Sequence, residues 1–369
     1  MKIILAFDSF KGCISAGQAC DAAYRGIRRR LPDATVVRLP MSDGGEGLVS
    51  CVSRFREVKM VTVRAHGPLM DELDATYAIS PDGKTAYMEM AATSGLTLVP
   101  ESRRNPLLTT TYGVGEMVVD AARRGVRHIM MGIGGSATND GGAGMIEAIA
   151  ASGLKLNELP SMTVACDVDN PLCGPRGASA VFGPQKGATP EMVPVLDRRL
   201  EAFANDLISR CMATREMMNT PGAGAAGGLG FGLMAYLKAE LKPGIDLLLD
   251  MAGIDAELQD ADLVITGEGR SDAQTLMGKV PHGILKRASR AGVPVYLLSG
   301  SIDDPEGVLG GCGSGARRGC IGADGSGARC SYSFQLVRSI NEGDTRPLEE
   351  LLSPEVALEN LSRSVSSLF

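Results

Sequence analysis

Apolar positions along the chain follow two rhythms. "KIILAF" (2–7) is a near-continuous apolar run, the pattern of a strand buried on both faces of a parallel sheet, and Ser15 with Gln18 makes a capping box for a helix through Leu31. "TVVRLP" (35–40) reads as a second strand. After about residue 57 the rhythm changes: "VKMVTVR" and "LDATYAI" alternate with period two around a Gly-Pro turn, which predicts an antiparallel pair. Beyond residue 105 helix and strand patterns alternate again, through "VRHIMM" (126–131), "MTVAC" (162–166), "ASAVFG" (178–183) and the charged helix "LDRRLEAFANDLISR" (196–210). "DLVITGEG" (262–269), a helix through 291 and "VPVYLLSG" (293–300) then restore the opening βαβ order. The predicted fold class is α/β with two α/β domains. A Rossmann- or flavodoxin-like parallel-sheet domain comes from both chain ends, residues 1–57 plus 259–369, and a mixed α/β domain, 58–258, is inserted into it. No internal repeat is apparent, and Gly-rich residues 303–330 read as a mobile surface loop.

Composition narrows the functional classes. A chain of 369 residues, 44% hydrophobic, can bury a large core, and 37 Lys plus Arg against 43 Asp plus Glu give a net charge of -6. Such a surface has no general attraction for nucleic acid or anionic lipid, so an anionic ligand must be held by local groups. The opening apolar run ends at Asp8, too early for a signal-peptide core, and no stretch approaches the roughly 18 apolar residues of a membrane span; the expectation is a cytoplasmic protein with no membrane partner. Nine cysteines form no CxxC pair, and Cys312, Cys320 and Cys330 lack zinc-like spacing, which points to reduced thiols. His66, His128 and His282 read as structural or surface residues, and no Ser-His-Asp or Cys-His constellation is visible in local sequence.

Candidate chemistry concentrates just after predicted strands. "MGIGGSATNDGGAGM" (131–145) places six glycines on a strand-to-helix turn. Such a turn aims backbone N–H groups and a helix dipole at one point, as a phosphate requires, or lets a helix pack closely on a sheet. "DSFKG" (8–12), "PMSDGGEG" (40–47), "CDVDNP" (166–171) and "TGEGRSDAQT" (266–275) occupy equivalent places, and ligands of open α/β sheets bind at carboxyl ends of strands. The residue types suit phosphoryl transfer, which needs cations for phosphates, carboxylates for a hard metal, and a base. Lys11, Arg270 and Lys279 are the candidate cations. Asp43, Glu46, Asp140, Asp167, Asp169, Glu268 and Asp272 exceed the carboxylates of one site, so some must cap helices or support other side chains. "GAGAAGGLGFGL" (222–233) fits a second anion-binding turn and a closely packed helix equally well.

Taken together, "FDSFKG", "PMSDGGEG", "GIGGSATNDGGAGM", "ACDVDNPLCGP", "VFGPQKGAT" and "LVITGEGRSDAQTLMGK" resemble the bacterial type I glycerate kinases, in order from residue 1 to about 300. The pattern departs after Ser299 and resumes at "SFQLVRSINEGDTRPLEELL" (333–352). The resemblance implies ATP- and Mg²⁺-dependent phosphorylation of D-glycerate, at the 2-hydroxyl, giving 2-phosphoglycerate and ADP, by a monomer or homodimer. Carried onto this chain, it has Gly134, Gly135, Ser136, Thr138 and Asn139 cradle the nucleotide phosphates. Asp167 or Asp169 takes Mg²⁺ or orients the acceptor hydroxyl. Lys11, Arg270 and Ser9 hold the glycerate carboxylate or the transferring phosphoryl group, with Asp8, Asp43, Glu268 and Asp272 also on the substrate. Two rival functions stand beside it. "GIGGSA" (132–137) fits a loose dinucleotide fingerprint, but no acidic strand end follows about 20 residues on, which disfavours an NAD(P)-dependent oxidoreductase. The excess of carboxylates disfavours a non-catalytic small-acid sensor.

Overall fold

A computed structural model describes residues 1–42, 47–305, 307–310 and 333–369. Asp43 and Glu46, most of the Gly-rich 303–330 segment, and Cys312, Cys320 and Cys330 lie outside the described residues. The chain forms two compact units, Met1–Asp43 with Leu248–Phe369, and Gly44–Leu247. Strands β1 (Lys2–Phe7) and β2 (Thr35–Arg38) belong to the first. Strands β3 (Lys59–His66), β4 (Glu72–Ile79), β5 (Thr85–Glu89), β6 (His128–Gly132), β7 (Ser161–Ala165) and β8 (Glu240–Lys242) belong to the second. The chain then returns to the first unit with β9 (Leu263–Gly267), β10 (Arg270–Asp272), β11 (Val295–Ser299), β12 (Ser301–Asp303) and β13 (Leu336–Ser339).

In the first unit five strands form an all-parallel sheet in the order β13-β11-β9-β1-β2. Read from the β2 edge, this is the flavodoxin-like order, so the chain reverses direction across the sheet between β1 and β9. The loops leaving those strands are 8–12 and 268–279, and the Asp8 N–H donates to the Gly267 carbonyl at 2.9 Å where they part. The apolar run of β1 is buried on both faces, packing with Ala19, Ala23 and Ile27 of helix Ala16–Arg28 and with Leu361 and Val365 of helix Pro354–Ser366. Helix Ala16–Arg28 starts as its sequence predicts: Ser15 Oγ accepts the Gln18 N–H and Gln18 Oε1 accepts the Ser15 N–H. It stops three residues short of Leu31, where Pro32 follows.

The second unit is a six-stranded mixed sheet, β3-β4-β5-β6-β7-β8. β3 and β4 form the predicted hairpin, β5 runs antiparallel to β4, and β5 through β8 are parallel. The odd-numbered face of β4, Ala75, Tyr77 and Ile79, joins Val114, Met117 and Val118 of helix Tyr112–Arg123 in the core. The units part at Asp43/Gly44 and Leu247/Leu248, earlier in both places than the divisions read from the hydrophobic pattern. Helix Leu48–Phe55 explains the first shift. Glu89, at the end of β5, accepts the Gly47 and Val49 N–H groups at 3.1 and 2.9 Å, capping that helix from within the second unit. Among the described residues no helix is long and apolar enough to cross a membrane.

Candidate active site

Each unit carries its own set of loops at the carboxyl ends of parallel strands. In the second unit β6 feeds the Gly-rich loop and helix Ala143–Ala151 follows, the strand-turn-helix arrangement of an anion site. The loop is fastened along its length: the Gly135 carbonyl accepts the Leu96 N–H at 2.7 Å, the Ala137 N–H donates to the Ser94 carbonyl at 2.9 Å, and Thr109 Oγ1 donates to the Ala137 carbonyl at 2.9 Å. Gly135 is exposed and Gly134 half-buried, so backbone is what the loop presents to solvent. Asp140 serves the helix start. Its carboxylate accepts the N–H groups of Gly142, Gly144 and Thr111 and the Thr111 hydroxyl, so it is a cap among the surplus carboxylates.

Thr138 and Asn139 are buried, with Asn139 Nδ2 donating to Ser179 Oγ at 2.9 Å. Thr138 Oγ1 and Asn139 Oδ1 are buried with no hydrogen-bond partner, a costly state unless something else satisfies them. Behind the loop, in the segment 222–233, Ala226, Gly227 and Gly228 break helix Ala225–Leu237 with positive φ. A Cβ on Gly227 would collide with the Thr138 carbonyl oxygen and Asn139 Cα, so close packing is what these small residues provide.

Beneath the loop lies a charged residue that the reading of the sequence did not single out. Lys186 is 2% exposed and donates from Nζ to Ser136 Oγ at 2.6 Å and to the Thr138 carbonyl at 2.7 Å. Burial pushes its pKa from 10.5 down to about 7, partly opposed by the Asp140 charge. A signal for it was present. Lysine against glycine in a polar turn is the feature that selects Lys11–Gly12, and Lys186–Gly187 in "VFGPQKGAT" carries it too.

Asp167 and Asp169 follow β7 and are both exposed. Asp167 Oδ1 accepts the Gly244 N–H at 2.7 Å, the first residue of helix Gly244–Ala252. Among the described residues no group of three or more His, Cys, Asp or Glu side chains is placed to hold a metal. Two exposed carboxylates at one strand end nevertheless match the habit of Mg²⁺, which takes one or two carboxylates and completes its shell with water and substrate phosphates.

In the first unit Asp8 is buried and its Oδ1 accepts the Ser9 N–H at 2.6 Å, while Lys11 is exposed. Glu268 is buried at the start of the 268–279 loop, where Oε1 accepts the hydroxyls of Ser271 and Thr275 at 3.0 and 2.6 Å, and Lys279 Nζ stands 3.6 Å from Oε2. Asp272 caps the short turn Ala273–Leu276 through the Gln274 N–H and lies 3.8 Å from Lys279. Arg270 is exposed; its guanidinium reaches Asp303 at 2.6 Å and Asp272 at 3.9 Å. The loop therefore brings Glu268, Arg270, Asp272 and Lys279 together, and Asp303 from β12 joins them. The histidines are occupied elsewhere: His66 with Glu116, His128 with Ser161, and His282 Nδ1 accepting the Gly278 N–H.

Comparison with known proteins points one way. A family model described as the glycerate kinase family matches residues 3–160 and 155–315. Glycerate kinase of Bacillus subtilis (strain 168) is 47% identical, covering 82% of this chain and 85% of its own length. Glycerate 2-kinase of Escherichia coli (strain K12) is 43% identical, covering 84% and 87%. A crystal structure of a proposed glycerate kinase 2 from Salmonella typhimurium LT2 superposes with a TM-score of 0.79 at 39% identity, covering 100% of this chain and 97% of that one.

Proposed function

The chain belongs to the glycerate kinase family, and from that premise we propose that it transfers the γ-phosphoryl group of ATP to the 2-hydroxyl of D-glycerate, giving 2-phosphoglycerate and ADP. The observation that carries the reading is the fastened loop 134–139 at the carboxyl end of β6, backed by the buried Lys186 ammonium, in a chain of that family. Gly134 and Gly135 offer backbone N–H groups and Ser136 a hydroxyl to the nucleotide phosphates, with Thr138 and Asn139 shaping the loop from below. Mg²⁺ bound at Asp167 or Asp169 would neutralise phosphate charge. Whichever of the two carboxylates stays off the metal would accept the proton of the acceptor hydroxyl. Lys11, Arg270 and Ser9 hold the glycerate carboxylate or the transferring phosphoryl group, and the Ser271 and Thr275 hydroxyls donating to buried Glu268 tie down the loop from which Arg270 projects.

Anchoring the carboxylate would bring the 2-hydroxyl, on the neighbouring carbon, in line with the γ-phosphoryl group, with the 3-hydroxyl one bond further out. The name of the Escherichia coli relative, glycerate 2-kinase, supports the same choice. Cytoplasm is the proposed location, where ATP is supplied and thiols stay reduced. Among the described residues Cys13, Cys20, Cys51, Cys166, Cys173 and Cys211 are not in disulfides. The working form is a monomer or homodimer. The test is ADP release with ATP, Mg²⁺ and D-glycerate, with phosphorus NMR of the product. Phosphate on the secondary carbon is expected. Exclusive 3-phosphoglycerate would refute the regiochemistry alone, and no phosphorylated glycerate would refute the reading.

A further inference from the structure

We infer that Lys186 is a positioning residue that sets the direction of the Ser136 hydroxyl: by donating to Ser136 Oγ it turns the O–H hydrogen away from itself, toward an anion on the loop. The inference rests on the proposed use of loop 134–139 for ATP phosphates. An ammonium has three donors and no acceptor, whereas a hydroxyl has one donor and two acceptor lone pairs. At 2.6 Å between Nζ and Oγ, with the lysine charged, only the hydroxyl oxygen can accept, so its hydrogen must point elsewhere. A second donor on the Thr138 carbonyl at 2.7 Å clamps the loop across residues 136–138 and prevents the ammonium from swinging away. Ser136 is 7% exposed beside the exposed Gly135, so its free hydrogen has a route to the loop's outer face.

Loss of the lysine's proton reverses this geometry. A neutral amine carries a lone pair, can accept the Ser136 hydrogen, and thereby withdraws that donor from the loop. With its pKa pushed down to about 7 by burial, Lys186 makes this change close to neutral pH. Among the described residues, the charged groups beside it include Asp140, which favours the ammonium, and Arg104, whose backbone lies against Gly187. Asp140 is itself held by Thr111, Gly142 and Gly144. Donation of the Ser136 hydrogen to a bound phosphate requires the ammonium, so through this hydroxyl binding should take up a proton near and above neutrality.

The test is equilibrium binding of Mg²⁺-saturated ATP to the full chain between pH 6.5 and 9, for wild type, Ser136→Ala, Lys186→Met and the double variant. ATP's own titration is common to all four and cancels in the comparison. Wild-type affinity is expected to fall roughly tenfold over this range, the scale of one hydrogen-bond donor. Ser136→Ala should bind with the weaker affinity throughout and lose most of the pH dependence, and the double variant should be no weaker than Lys186→Met. A Ser136→Ala variant that keeps the wild-type pH slope, or losses that add in the double variant, would overturn the inference while leaving ATP binding intact. Wild type that binds no ATP at any pH would instead overturn the phosphate-loop reading and this inference with it. If Lys186→Met does not fold, the slope of Ser136→Ala decides alone.

Discussion

The two loop sets hold their charges in opposite ways. Under loop 134–139 the cation Lys186 is buried against a hydroxyl and a carbonyl, and what faces solvent is backbone. Of the charged residues on loop 268–279 only Glu268 is buried; Arg270, Asp272 and Lys279, with Asp303 of β12, pair at or near the surface. Desolvation dominates the first arrangement, where a charge is costly and its geometry fixed. Solvent screening dominates the second, where an ion pair is worth little and can exchange partners. One is a preformed cradle; the other is a set of charges able to turn to an arriving anion. In the proposed reaction these suit different ligands, the phosphates of a nucleotide and the carboxylate of a small acid.

The largest effect should come from breaking the packing of the cradle. Gly227→Ala places a Cβ against the Thr138 carbonyl and Asn139 Cα at a positive φ of 69°, and should cost about 3 kcal/mol or more. Gly12→Ala, in the other unit's loop, meets a similar φ of 75° with open space around it, so it carries the backbone term alone, about 1 kcal/mol. Thermal unfolding of the two variants reads the difference. Equal losses would mean that the loop is not held by its backing.

Most of the fold was legible because its signals are local. The continuous apolar run of β1, the capping box at Ser15, the period-two hairpin and the β9 to β11 unit all stand where the pattern placed them. The strand order resolved the choice between Rossmann-like and flavodoxin-like, which depends on pairing between strands far apart in sequence. The candidate loops were legible as strand-end clusters, but roles within them were not. Whether Asp140 caps a helix or meets a ligand depends on where Thr111 and Gly144 lie in space. Lys186 carries the same Lys–Gly feature as Lys11, but 50 residues separate it from Ser136, so nothing local ties it to the loop or reveals the burial that sets its chemistry.

Of comparable size, but in rate rather than stability, is the effect at the strand end that would carry the metal. Asp169→Asn and Asp167→Asn should each lower kcat by about 10² to 10⁴-fold with ATP affinity nearly kept, the mark of lost transition-state stabilisation. Asp167→Asn should also destabilise slightly, through its contact with the Gly244 N–H, and so separates a structural from a chemical share. Near-normal kcat in both would remove β7 from the reaction.

The buried lysine predicts a pH effect on stability opposite in sign to its effect on binding. Its folded pKa of about 7 lies below the ordinary 10.5, so between these values the unfolded chain holds a proton that the folded chain lacks. Stability of the ligand-free protein should therefore rise with pH from 7 upward, by up to about 1.4 kcal/mol per unit. Denaturant unfolding of wild type minus Lys186→Met between pH 7 and 8.5 isolates the term, because the thiols are common to both. A difference that does not change with pH would place Lys186 in a far wetter setting than its 2% exposure indicates.

The smallest effect should come from the exposed pair, and it tests the exchangeable half of the comparison. Arg270 and Asp303 lie 2.6 Å apart with side chains 63% and 58% exposed, so Asp303→Asn should change stability by no more than about 0.5 kcal/mol. In the proposed reaction Asp303 occupies the guanidinium that a glycerate carboxylate would take, a competition that an uncharged amide meets less well. The KM for glycerate should then fall by about two- to threefold, with kcat and the KM for ATP unchanged, the pattern of a gain in ground-state binding. Raising ionic strength should shrink the difference between wild type and variant, since screening weakens the competing pair in wild type. A rise in glycerate KM would mean instead that Asp303 holds Arg270 in its working direction. The surface charges would then be as fixed in geometry as the buried lysine, and the contrast between the two loop sets would fail on the side of Arg270.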